Sequence, residues 1–270
     1  MPFELLVLDL DGVVLDSAMR VDPALEAGLK RAMARGLRVT FATGRMPPAS
    51  RPYWERFGIS SPVILYNGAL VRDPLNGVAL YTRSLPRGLA WQTYPIYTNA
   101  PVDPLFYQDD TLYCLKKTRP IHTYCEEQAL DAVEIAHRET FLREHSFVKC
   151  LFIGEPAALS RLREELAPVV GTARLVLSRV NYLELIPADA SKGAALRFLA
   201  GHLGIPLDRV IAVGDHENDL EMIQAAGLGI AMPHSPAHVR AAADRVAPPA
   251  ASGGLAALLA ELCPQHFRPE

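Results

Sequence analysis

The stretch FELLVLDLDG, residues 3–12, decides the fold. Residues 3–9 form an apolar run, interrupted only by Glu4, that ends in carboxylates, as expected of a strand buried on both faces of a parallel sheet. Side chains two apart on an extended backbone point the same way, so Asp9 and Asp11 can face one site at the strand's carboxyl end. In an open α/β sheet that end, close to a reversal in strand order, is where ligands bind. Two neighbouring carboxylates repel unless a cation lies between them or one keeps its proton. A calcium loop does not fit, because Gly12 comes too early and Arg20 stands where a bidentate glutamate is needed. Taken alone, the four residues also suit an Asp-rich turn.

Outward from this strand the chain alternates short apolar runs with amphipathic helices. Asp22 offers an N-cap and Pro23 a first helical position. Leu25, Leu29, Ala32 and Met33 make one apolar face, and Gly36 ends the helix. Residues 37–43 and 63–66 read as the second and third strands. The pattern returns late in the chain with a helix over 191–202, carrying Leu196, Leu199 and Leu203 on one side. A strand over 209–213, a helix over 218–226 and a strand over 228–231 follow. Ser252 is expected to cap a last helix through Leu255, Leu258, Leu259 and Leu262.

Residues 82–187 differ in texture. They hold most of the tyrosines and read as strands at 105–108, 112–116, 148–154, 175–177 and 182–186 around two helical stretches. One of these, 156–166, places Leu159, Leu162 and Leu166 in register. The expected architecture is α/β, a Rossmann-like parallel-sheet core (1–81 and 188–270) interrupted by an inserted α+β domain (82–187).

Composition narrows the function. The 270 residues are 50% hydrophobic and 21% charged with a net charge of −3, ordinary for a soluble globular protein and without the basic run of a nucleic-acid binder. No apolar stretch is long enough to span a membrane, and the opening run is too short for a signal peptide. Cys114, Cys125, Cys150 and Cys263 form no Cys-x-x-Cys, so four free thiols in a reducing cytoplasm are expected. Neither GxGxxG after the first strand nor GxxxxGK[ST] is present.

Three further segments carry chemistry. Phe41-Ala42-Thr43-Gly44-Arg45 ends the second strand with a hydroxyl and free N–H groups, a phosphate cradle or simply a turn. Lys192, in Ser191-Lys192-Gly193, sits at a helix amino terminus, where the macrodipole disfavours positive charge; a bound anion or a solvated lysine would explain it. Gly214-Asp215-His216-Glu217-Asn218-Asp219 follows an apolar strand and gathers hard oxygen ligands of the kind magnesium takes, with His216 a loop residue.

Together, DLDG (residues 9–12), ATGR (42–45), NGA (67–69), SKG (191–193) and GDHENDLEMI (214–223) resemble the haloacid dehalogenase superfamily, more closely its Cof-type phosphatases with a C2B-type cap. The resemblance implies that Asp9 attacks phosphorus and that Asp11 protonates the leaving alkoxide and then activates water. It implies Mg²⁺ held by Asp9, the Asp11 carbonyl and Asp215 with Asp219 in support. Gly12, Thr43, Gly44, Lys192 and Asn218 would bind the phosphoryl group. The implied partner is a small phosphorylated molecule, with no nucleic acid or membrane. Thr43 lies 34 residues after Asp9 and Lys192 a further 149 on, so the cap fits only in the second interval. Val13 stands where Cof-type members commonly carry Thr, and DGVVLDS looks more like the phosphomutase branch. Met232-Pro233-His234-Ser235 replaces a common Gly-Asn after the Met. A phosphotransferase or phosphomutase on the same aspartyl-phosphate, and a non-catalytic phosphometabolite-binding protein, are the alternative readings.

Overall fold

Strand β1 (Leu5–Leu8) is fully buried, and its hydrogen-bonded neighbours explain why. The structure, a computed structural model, describes residues 3–108, 110–249 and 254–267. Ser252 lies outside these described residues. The chain divides into two compact bodies, one of Met1–Arg45, Ser50–Tyr81 and Ser191–Glu270, the other of Met46–Ala49 and Thr82–Ala190.

In the first body, β1 leads to the helix Pro23–Ala34, whose N-cap Asp22 accepts a hydrogen bond from the Ala24 N–H. Leu25, Leu29 and Ala32 are buried as their spacing requires. Strand β2 (Arg38–Phe41) pairs parallel with β1. Strand β3 (Val63–Leu65) differs from the expected third parallel strand. It belongs to a three-stranded sheet with β4 (Leu70–Arg72) and β5 (Ala79–Thr82), and meets the β2 edge through one parallel bridge, Ala42 to Ile64. The reason is local: Tyr66 and Asn67 take left-handed φ values of 51° and 55°, which ends the strand and sends the chain back antiparallel.

The second body carries a six-stranded sheet: β6 (Val102–Gln108), β7 (Thr111–Cys114), β8 (Ala132–Glu134), β9 (Lys149–Gly154), β10 (Ala173–Arg179) and β11 (Tyr182–Pro187), in the order β10-β11-β9-β6-β7-β8. All its pairs are antiparallel except β7 with β8. One face packs on Tyr97, Phe147 and the helix Pro156–Leu166, which buries Leu159, Leu162 and Leu166. This is an α+β domain, with more helix than expected: Arg119–Gln128 and Arg138–Glu144 are helical too. Those segments are polar, with few apolar residues to set a period.

The chain returns to the first body through the helix Lys192–Leu203 and strands β12 (Val210–Gly214), β13 (Leu228–Ala231) and β14 (Arg245–Val246). The parallel sheet runs β14-β13-β12-β1-β2. From β1 the chain first builds outward to β2, and later outward on the other side from β12. The order therefore reverses between β1 and β12, and the crevice at their carboxyl ends is the expected ligand position. No helix among the described residues is long and apolar enough to cross a membrane.

Candidate active site

The register Leu8 to Val213 sets Asp9 beside the end of β12, and the Asp9 N–H donates to the Val213 carbonyl at 2.9 Å. Asp9, Asp215 and Asp219, all buried, bring one carboxylate oxygen each within 4.8 Å of one another. Lys192 joins them. It is completely buried, with Nζ 2.8 Å from Asp9 Oδ1 and 2.6 Å from Asp219 Oδ1. The anions that offset its place at a helix start are thus protein carboxylates, and the solvated reading is excluded.

Close approach of backbone segments makes this burial possible. A Cβ on Gly68 would lie 2.0 Å from the Ser191 carbonyl oxygen, and one on Gly193 would lie 2.6 Å from Glu221 Cβ. Glycine at both positions lets the 66–68 turn and the Leu220–Ala225 helix close over the helix start that carries Lys192. Ser191 caps that helix by accepting from Ala194 N–H, and its hydroxyl donates to Glu221 Oε2 at 2.5 Å.

Each acid has its own setting. Asp9 Oδ1 accepts from the Leu10 N–H at 2.7 Å and from Lys192, while no hydrogen bond among the described residues holds Oδ2. Burial first, then the charge of Asp219, pushes the Asp9 carboxyl well above its ordinary range, although Lys192 opposes this. Burial also lowers Lys192's hold on its proton, but Asp219 and Asp9 outweigh it and keep the ammonium charged. Burial and Asp219 likewise raise Asp215. Asp219 has both oxygens engaged: Oδ1 on Lys192, and Oδ2 accepting from the N–H groups of Asp215 at 2.9 Å and His216 at 3.1 Å. It fixes the loop and the lysine. His216 is exposed at the N-cap of the Glu217–Asp219 turn, a loop residue as expected.

Asp11 departs from the side-by-side arrangement expected of it. The chain leaves the strand after Leu8 and folds into a tight loop, with the Val14 and Leu15 N–H groups both donating to the Leu10 carbonyl. The Asp11 carboxylate is half exposed and lies against Arg45, whose Nε and Nη2 donate at 2.8 and 2.5 Å. The buried carboxylate cluster does not include it. Thr43 is buried, its hydroxyl accepting from the Arg45 N–H at 3.1 Å. Asn218 donates to Asn67 Oδ1 at 2.9 Å, and a Cβ on Gly44 would come 3.0 Å from the same oxygen, so these three residues meet at one point.

The donor set suits a divalent cation. Of the three clustered, buried carboxylates, Asp9 and Asp219 share the Lys192 ammonium and Asp215 does not touch it, and unpaired buried charge is costly. Hard carboxylate oxygens of this kind are what magnesium takes.

The haloacid dehalogenase-like hydrolase family model matches residues 6–259, nearly the whole chain. The chain belongs to this family. A haloacid dehalogenase-like hydrolase from Bacteroides thetaiotaomicron superposes with a TM-score of 0.88 at 25% identity, over 96% of this chain and 99% of that one. The 5-amino-6-(5-phospho-D-ribitylamino)uracil phosphatase YitU of Bacillus subtilis is 27% identical over 95% of this chain and 96% of its own length. A chloroplastic endoribonuclease YBEY of Arabidopsis thaliana is 29% identical over 90% of this chain, which spans only 43% of that protein. The family assignment, to its Cof-type branch, and its phosphatase members make this chain an enzyme, a phosphoric monoester hydrolase.

Two features of this hydrolase site were absent from residue-by-residue reading. Asn67 accepts from Asn218 and packs against Gly44, and His234 reaches Asp215 Oδ2 at 3.2 Å. Asn67 stands in a quoted motif; its positive φ is the signal, since Asn tolerates that region. His234 follows β13 in a turn, where no periodicity marks it.

Gly12 yields a direct prediction. At φ 80° any added Cβ would lie 2.2 Å from Asp215 Oδ2. Gly12→Ala is expected to displace Asp215 and cut phosphatase activity about 10²-fold, the usual cost of misplacing a reacting group by about 1 Å. Turnover of an aryl phosphate at the wild-type rate would show that the loop accommodates the methyl group.

Proposed function

We propose that this chain is a magnesium-dependent phosphatase for a small phosphorylated metabolite, a sugar phosphate or similar compound, acting through an aspartyl-phosphate on Asp9. The carrying observation is the buried Asp9–Lys192–Asp219 chain with Asp215 beside it. Asp9 keeps Oδ1 fixed by Leu10 and Lys192 and leaves Oδ2 for attack on phosphorus. Lys192 supplies fixed positive charge where a carboxylate must approach a phosphate dianion. Thr43, Gly12, Gly44 and Asn218 are proposed to hold the phosphoryl oxygens. Mg²⁺, held by Asp9, the Asp11 carbonyl and Asp215 with Asp219 in support, would supply further positive charge to the phosphoryl group when bound.

Asp11 is proposed as the proton carrier. Its two oxygens accept from the Arg45 guanidinium, and its carboxylate would take a proton from water in the second half-reaction. To give a proton to the leaving alkoxide it must first leave Arg45.

A metabolite substrate is supported by the relative named for a phosphoribityl compound, and the inserted domain is assigned the choice among substrates. The proposed setting is the cytoplasm, in keeping with four cysteines that are all free. The test is a panel of phosphorylated metabolites with phosphate release measured with and without Mg²⁺. Full activity in EDTA on the best substrate would refute the metal.

Asp215→Ala is expected to weaken Mg²⁺ more than about tenfold, since even indirect support of a metal ligand is worth that much. An unchanged Mg²⁺ dependence of phosphate release would show that the acidic turn only starts a helix.

A further inference from the structure

We propose that His234 is a positioning residue for Asp215, its imidazole holding one carboxylate oxygen so that the other stays turned toward the metal. The proposal rests on the reading of Asp215 as a magnesium ligand. His234 Nε2 lies 3.2 Å from Asp215 Oδ2, and this is the one hydrogen bond that reaches the Asp215 carboxylate among the described residues. A carboxylate only accepts, so Nε2 carries the proton and donates.

The rest of Asp215 is held from elsewhere. Its N–H donates to Asp219 Oδ2 at 2.9 Å, which fixes the backbone and leaves the side-chain torsion free. Gly12 closes one side of Oδ2 without bonding to it, as the 2.2 Å separation from a virtual Cβ shows. The side chain thus needs a donor, and among the described residues only His234 provides one.

His234 is well placed for the task. The turn that carries it is tied to β12, the strand that leads into Asp215, by the Met232 N–H on the Gly214 carbonyl at 3.1 Å. The Ser235 N–H closes the turn on the Met232 carbonyl at 3.1 Å, and Arg240 donates to the Ser235 carbonyl. Imidazole and carboxylate therefore start from two points of one fixed scaffold. The His234 side chain is 55% exposed, so its contribution comes chiefly through orientation. Outer partners of this kind commonly set metal affinity within a range of about 10–100-fold.

The test is Mn²⁺ binding to the full chain, followed by electron paramagnetic resonance in wild type, His234→Ala and His234→Gln, with unfolding midpoints in EDTA. His234→Ala is expected to weaken Mn²⁺ about tenfold without lowering the midpoint. His234→Gln, whose amide N–H reaches a similar point, is expected to recover most of the loss. The wild-type spectrum is expected to show no nitrogen coupling from a directly bound imidazole. Equal affinity in His234→Ala, a Gln variant as weak as the Ala variant, or a nitrogen coupling would each overturn the positioning role alone. No saturable Mn²⁺ binding in wild type would overturn the metal reading, and this proposal with it.

Discussion

Asp9→Asn is expected to reduce phosphate release by about 10⁴-fold or more while leaving the fold intact. Loss of a covalent nucleophile removes the reaction path itself, and such losses reach about 10⁶-fold in other enzymes. Stability should move the other way. Asp9 is buried against two further carboxylates, and burial with the charge of Asp219 holds its carboxyl well above the ordinary range. A neutral amide of the same shape removes one buried negative charge, so the unfolding midpoint in EDTA is expected to equal or exceed that of wild type. An inactive variant that is also unstable would mean that Asp9 serves the fold. An active one would move the nucleophile elsewhere.

Lys192→Met is expected to have the largest effect on stability. Lys192 has no exposed surface and touches both Asp9 and Asp219, so methionine would fill the space and leave two buried carboxylates without their cation. Removing one partner of a buried ion pair costs about 3–5 kcal/mol. The unfolding midpoint in EDTA should fall accordingly, Mg²⁺ should restore part of it, and turnover should stay low even in Mg²⁺. Denaturation by urea in EDTA measures the first effect. A wild-type midpoint there would show that the carboxylates take up protons at no cost and that the lysine is dispensable to the fold.

Much of this was legible in the sequence because it rests on period and end chemistry. The helix Pro23–Ala34 starts at Asp22 as its cap predicts, and Leu228–Ala231 is a strand over the residues its apolar run marks. Asp9 and Asp215 sit at the carboxyl ends of neighbouring strands, which follows once both apolar runs enter one parallel sheet. Other features depend on contacts between distant segments. The burial of Lys192 needs Gly68 against Ser191 and Gly193 against Glu221, and neither contact leaves a mark in local composition. The Asp11 carboxylate stands outside the buried cluster because period two holds only on an extended backbone, and the chain turns after Leu8. The third strand joined another sheet because two successive left-handed residues, Tyr66 and Asn67, reverse the chain. The polar helices of the inserted domain offered too few apolar positions to read.

The central claim is a phosphoryl group carried by Asp9, and it is tested most directly by trapping. Asp11→Asn should still accept phosphate from an aryl phosphate, whose leaving group needs no proton, but should fail to activate water for its removal. Borohydride reduces an aspartyl-phosphate to homoserine, so peptide mass spectrometry after incubation with substrate and Mg²⁺ is predicted to find homoserine at position 9 and aspartate there in EDTA. Phenol release by this variant with unmodified aspartate at position 9, or with reduction at another carboxylate, would contradict the account.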